Sequence, residues 1–163
     1  MFYLLFIFEG LNLVNAQIRE ELERHIVFNA AKEESDRLGL PLVNYGCKVM
    51  DPFASKSDLN LDVEYREVPN FKLIEPDGRI PLPDNSGVVF ASHVLEHVND
   101  PEKVLNDMMR VGPTFVVMPK WWSLHNWVNT RHKWIITKQG LVERPSGFAI
   151  PFVSGINILA LIV

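Results

Sequence analysis

Between residues 88 and 118 the chain reads as a strand, a helix and a second strand with little between them, and this order restricts the fold more than any other feature. Val88-Val89-Phe90-Ala91-Ser92 carries no polar residue until its end, the pattern of a strand buried on both faces of a parallel sheet. Residues 101–111 then carry helix signals. Asn99 or Asp100 stands at the N-cap, Pro101 sits in the first turn, and Glu102 lies near the positive end of the helix dipole. Gly112-Pro113 stops the helix, and Thr114-Phe115-Val116-Val117-Met118 forms the next strand, closed by Pro119. Two parallel strands need a crossover of this kind, so the unit predicts an α/β sheet.

The upstream sequence supplies the rest of that sheet. Residues 15–38 read as one helix, with Ile18, Leu22, Ile26 and Ala30 forming an apolar stripe beside a charged face, and Gly39 ends it. Short strands are expected over residues 40–46, 59–63 and 71–74. Little chain remains after the fifth strand, and Lys133-Trp134-Ile135-Ile136 is the best remaining strand. The expected fold is therefore a doubly wound, mostly parallel sheet, truncated on its C-terminal side and preceded by an N-terminal helix. The expected divisions are an apolar segment and helix over 1–38, the sheet domain over 39–140 and an apolar tail over 141–163.

A chain of 163 residues suits a single core, and 47% apolar against 22% charged residues is a globular balance. The net charge of -4 argues against a protein that grips a nucleic-acid backbone, so no nucleic-acid partner is expected. Cys47 is the one cysteine, which rules out an intrachain disulfide and fits a reducing cytoplasm. Residues 1–8 and 148–163 are strongly apolar, but Glu9 and Gly10 interrupt the first run, and Pro151, Ser154, Gly155 and Asn157 the second. Neither matches the roughly 20 apolar residues of a spanning helix. A basic leader region is also missing, although Val14-Asn15-Ala16 has small-residue character. The expectation is a cytoplasmic chain whose apolar ends are candidates for membrane contact.

Ligands of parallel α/β sheets bind beyond the carboxyl ends of the strands. That rule directs attention to Gly46, Asp62, the residues after Ile74, the stretch from Ser92 to His97, and the segment beyond Pro119. Gly46 is either a plain turn glycine or a point where a ligand approaches the backbone. Asp62 is either a turn-capping aspartate or an acceptor for the two hydroxyls of a ribose. Glu75 and Asp77 could reach an adenine, yet Pro76-Asp77-Gly78 is also a turn that uses Asp77 locally. Trp121, Trp122, Trp127 and Trp134, with His125 and His132 among them, make an aromatic cluster. It reads equally as an acceptor pocket or lid, a core-covering flap, or a membrane-interface belt.

The stretch from Leu82 to Val98, with its Pro83-Asp84 turn and His93-Val94-Leu95-Glu96-His97-Val98, resembles the motif region of the type 11 class I methyltransferases. Together with Asn44-Tyr45-Gly46-Cys47 and Leu59-Asn60-Leu61-Asp62, the resemblance covers roughly residues 41–136. It implies a Rossmann-like sheet that binds S-adenosylmethionine and passes a methyl group to an acceptor that the sequence does not identify. The cofactor-binding residues implied are Asn44, Gly46, Cys47, Asp62, Asp77, Ser92 and His93, with Gly46 and Cys47 near the methionine moiety and Asp62 on the ribose. Asp77, or else Glu75, would lie near the adenine. No catalytic residue is assigned, because an activated sulfonium needs positioning more than covalent help; His97, His125 and His132 are the candidates if a base is used. No metal is called for.

The sequence departs from the family pattern at Lys48, where a second glycine is usual, in the shortened turn Asn85-Ser86-Gly87-Val88, and in its short C-terminal portion. These departures keep a second reading open, that of a catalytically inactive methyltransferase-fold protein acting as a binding or membrane-associated partner. A third reading takes His93, Glu96 and His97 as the HxxEH helix of a zinc hydrolase, with Glu143 as the further ligand. The nicotinamide-enzyme reading is weaker, since GxGxxG is missing after the first strand.

Overall fold

The structure, a computed structural model, describes residues 2–76, 78–119, 131–137, 140–143 and 149–151. Side chains are described from Ile18 onward within these ranges, except at positions 137, 142 and 149–151. Helix α1 spans Phe2–Leu38, and the strands that follow are β1 (Leu42–Tyr45), β2 (Leu59–Asp62), β3 (Phe71–Leu73) and β4 (Val88–Ser92). Helix α2 (Pro101–Val111) and β5 (Thr114–Val117) come next, then β6 (Trp134–Thr137), β7 (Gly140–Glu143) and β8 (Ala149–Pro151).

Strands β1 to β5 form one parallel sheet in the order β3-β2-β1-β4-β5. This is the Rossmann-like order, in which the chain reverses direction across the sheet between β1 and β4. Alternation along β4 distributes its side chains to two cores. Val89 and Ala91 pack with Val43, Tyr45 and Leu61 under Val104, Leu105, Met108 and Val111 of α2. Val88 and Phe90 pack on the other face with Leu42, Phe115 and Val117, against Val27, Phe28 and Ala31 of α1. One helix therefore covers each face, which is the doubly wound arrangement expected. Phe28, Phe53 and Phe90 meet at centroid distances of 4.6 to 5.2 Å and form the aromatic centre of the α1 side.

Local chemistry sets the element ends. Asp100 is the N-cap of α2, its side chain accepting from the Lys103 amide, and Pro101 starts the helix. At the far end Gly112 donates its amide to the Met108 carbonyl, and a Cβ there would lie 2.1 Å from the Gly87 oxygen. Between β1 and β2 the chain carries only a short 3-10 turn, Ala54–Lys56, and no α-helix.

Three sequence expectations are corrected. Helix α1 begins at Phe2 instead of near residue 15. Three of the four residues of its predicted apolar stripe face solvent, Ile18, Leu22 and Ile26 being 62%, 58% and 50% exposed, while Ala30 packs at the edge of the core and Arg24, Val27, Phe28, Ala31 and Ser35 are buried. Phe28 decides this, because its ring fits between Phe53 and Phe90 and rotates the helix to suit. The strand expected over residues 133–136 exists one residue later, but it belongs to a separate antiparallel sheet, β6-β7-β8. The short connection between β6 and β7 permits only antiparallel pairing. Among the described residues no helix is long and apolar enough to cross a membrane.

Candidate functional site

The parallel register places Tyr45 beside Leu61 and beside Ala91, so the chain leaves β1, β2 and β4 at one rim. There a cavity of about 530 Å³ opens, within the range of about 300–1,000 Å³ typical of small-molecule sites. Gly46 follows β1, Asp62 ends β2, Ile74 follows β3 and His93 follows β4, and all four line it. Arg66, Val94, His97, Arg131 and Lys133 complete the parts of the wall that matter below.

Gly46 has φ +79°, a left-handed conformation that a side chain resists. A Cβ at this position would lie 2.2 Å from Val94 Cγ2. The glycine is therefore fixed twice, by its own backbone and by the turn that passes over it from β4. Its amide and that of Cys47 both donate to the Leu61 carbonyl, at 2.8 and 3.1 Å, so this turn is braced against β2. His93 also adopts positive φ, +58°, and its amide donates to the Val117 carbonyl at 2.9 Å. Non-glycine residues held there concentrate at functional sites.

Asp62 accepts from the Glu64 amide at 2.8 Å through Oδ1, and Arg66 Nη2 lies 3.6 Å from the same oxygen. Burial pushes its carboxyl above the ordinary range, while the Glu64 amide and Arg66 pull it back. Arg66 donates to Glu64 at 2.8 Å, and its Nε is buried with no hydrogen-bond partner among the described residues.

Of the seven predicted cofactor residues, the structure brings Gly46, Asp62 and His93 to the cavity. Asn44 does not line it; its amide donates to Asp51 and Asn60, tying β1 to β2 and to the loop after β1. Cys47 is fully buried. Burial, with Asp62 and Asp51 nearby, pushes its thiol up to about 12. Ser92 accepts from Arg24 Nε at 2.8 Å, which joins β4 to α1 instead of to the cavity. Asp77 lies outside the described residues, as do Trp121, Trp122, Trp127 and His125. Glu75 is exposed, and its carbonyl accepts the Gly78 amide at 2.8 Å.

Residues 93–98 form a turn, not a helix, so His93 and His97 do not share a helical face as the HxxEH reading requires. Glu143 ends strand β7. Sequence reasoning missed Arg66 and Val94. Arg66 follows Asp62 in a loop with no periodicity, and only the close approach of two distant turns reveals Val94.

A five-stranded parallel sheet in this order, with its cavity at the carboxyl rim and an aspartate ending the second strand, defines a Rossmann-like α/β domain. Residues 40–112, a little under half of the chain, match the family described as a methyltransferase domain, so this stretch is similar to that family. Comparison with curated proteins and with solved structures returns no match.

Proposed function

We propose that this protein binds S-adenosylmethionine in the rim cavity and transfers its methyl group to an acceptor held on the side of His93 and His97. The observation that carries the reading is the meeting of Gly46 and Asp62 at one rim, from adjacent parallel strands, in a cavity of about 530 Å³. The residues present fit such a ligand. Asp62 ends β2 as an acceptor for a ribose, and Gly46, at φ +79° beneath Val94, turns the chain sharply at the neighbouring strand end. Arg66 offers a buried Nε without a partner among the described residues.

When bound, the cofactor supplies an activated methyl group on a sulfonium. The protein's own part is positioning. Asp62 would orient the ribose, while Val94, seated over Gly46, limits how deeply the ligand can enter. His97 Nδ1 lies 3.2 Å from the Arg131 carbonyl, which accepts a hydrogen bond and fixes the imidazole as part of the wall. Positioning of this kind can supply a large share of a methyl-transfer rate.

The test is calorimetric titration with S-adenosylmethionine and with its demethylated product, on the parent and on Asp62→Ala. Losing hydrogen bonds to a charged acceptor costs about 1.5–3 kcal/mol, so affinity is expected to fall about 10–100-fold. A parent chain that binds neither compound, or an Asp62→Ala protein that binds both as well as the parent, overturns the proposal.

A further inference from the structure

Glu96 is fully buried, and neither of its carboxylate oxygens has a hydrogen-bond partner among the described residues. The nearest group able to carry positive charge is the His93 imidazole, with Nδ1 at 3.3 Å from Oε1. A buried carboxylate without compensation costs several kcal/mol, so a folded protein retains one where something neutralises it. Two imidazoles stand beside it. One ligand atom from each of Glu96, His97 and His132 can be chosen so that all lie within 4.8 Å of one another.

The backbone holds this cluster together across the sequence. The Glu96 carbonyl accepts the amides of Lys133, at 2.6 Å, and Trp134, at 3.3 Å. Trp134 Nε1 donates to the Val98 carbonyl at 3.0 Å, which places His132 against the turn after β4. The two imidazoles meet edge to face, with centroids 4.7 Å apart. A carbonyl can only accept, so the contact of His97 Nδ1 with the Arg131 oxygen assigns the proton to Nδ1. That leaves the Nε2 lone pair of His97 for a ligand bond, the outer-sphere orientation that metal-binding histidines use.

We propose that Glu96, His97 and His132 bind one divalent transition-metal ion of the zinc class. Two nitrogens and one carboxylate suit such ions, whereas magnesium and calcium favour oxygen ligands alone. Ligand bonds of about 2.0–2.1 Å in a tetrahedral site separate the donors by about 3.3 Å, so the ion would draw the three groups inward by up to about 1.5 Å. His97 lines the cavity, whereas Glu96 and His132 are 0% and 3% exposed, so the site opens to solvent on the cavity side. The ion's remaining coordination position would lie there. This site differs from the HxxEH reading, because His132 replaces His93 as a ligand and Glu96 binds the ion directly. It stands independently of methyl transfer.

The experiment uses the full chain stripped with a chelator and titrated with cobalt(II), then with zinc. The parent is expected to take up one cobalt ion with the intense visible bands of a four-coordinate site, and zinc is expected to abolish them. Glu96→Gln and His132→Ala should each weaken affinity by more than the roughly 10–100-fold typical of losing an outer-sphere partner. Glu96→Gln keeps the shape and removes the buried charge, so without metal it should melt no lower than the stripped parent. Zinc should then raise the melting temperature of the parent and leave that of Glu96→Gln unchanged. If His132→Ala does not fold, Glu96→Gln carries the test alone. Failure of the stripped parent to bind cobalt stoichiometrically, or parent-like titration by Glu96→Gln, overturns the proposal.

Discussion

Gly46→Ala is the sharpest probe of how the rim is built, because two separate penalties meet at one atom. The backbone sits at φ +79°, where a side chain costs about 1–2 kcal/mol. The new Cβ would also lie 2.2 Å from Val94 Cγ2, with Val94 Cγ1 at 3.2 Å and Cβ at 3.3 Å. Rotating the valine exchanges one methyl for another, so the turn itself must move, and overpacking of this kind costs about 1–3 kcal/mol. The sum is about 2–5 kcal/mol, a large part of the 5–15 kcal/mol typical of a whole domain. Urea unfolding should show the midpoint falling with the slope unchanged. A Val94→Ala background separates the two contributions: there Gly46→Ala should cost only the backbone share, about 1–2 kcal/mol. Equal costs in both backgrounds, within the roughly 0.3–0.5 kcal/mol scatter of independent sites, would refute the claim that Val94 occupies the space over Gly46.

Three other outcomes are expected. Cys47, fully buried and with its thiol pushed up to about 12, holds about one thiolate in ten thousand at pH 8, so a thiol reagent should modify it only after denaturant is added; rapid labelling of the native chain would contradict its placement. Burial raises the Asp62 carboxyl, so the native state holds that proton more tightly than the unfolded chain. The stability this gives is complete below the ordinary value of 3.8 and lost as pH rises through the raised native value. Asp62→Asn should therefore be more stable than the parent at pH 7, with the advantage shrinking toward acid in urea titrations across pH; a parent more stable at pH 7 would reverse the sign. Phe28→Ala opens the aromatic centre shared with Phe53 and Phe90 and should cost about 3–5 kcal/mol by the same assay; a near-neutral effect would refute the anchoring of α1 at this centre.

The parts of the fold legible in the sequence are those fixed by neighbouring residues. Asp100, Pro101 and Gly112 bound helix α2 chemically, and β4 is an unbroken apolar run, so both were predicted to the residue. Gly46 and Asp62 were legible as strand ends, since the carboxyl rim of a parallel sheet follows from strand order alone. Contacts between distant segments were not. The sequence of α1 offers two helical faces, and only the slot between Phe53 and Phe90 selects the one that contains Phe28. Asn44 and Ser92 stand at strand positions as suggestive as Asp62, yet Asp51, Asn60 and Arg24 engage them first. His132 reaches Glu96 through backbone bonds between residues far apart in the chain, a relation that no spacing rule expresses.

Those two amide bonds onto the Glu96 carbonyl also provide a clock. The turn after β4 can swing away from the antiparallel sheet only if the Lys133 and Trp134 N–H groups are released to water. Deuterium uptake at these two positions therefore times the breathing of the pocket wall, and anything that seals the pocket, whatever its chemistry, slows that uptake before any product is formed.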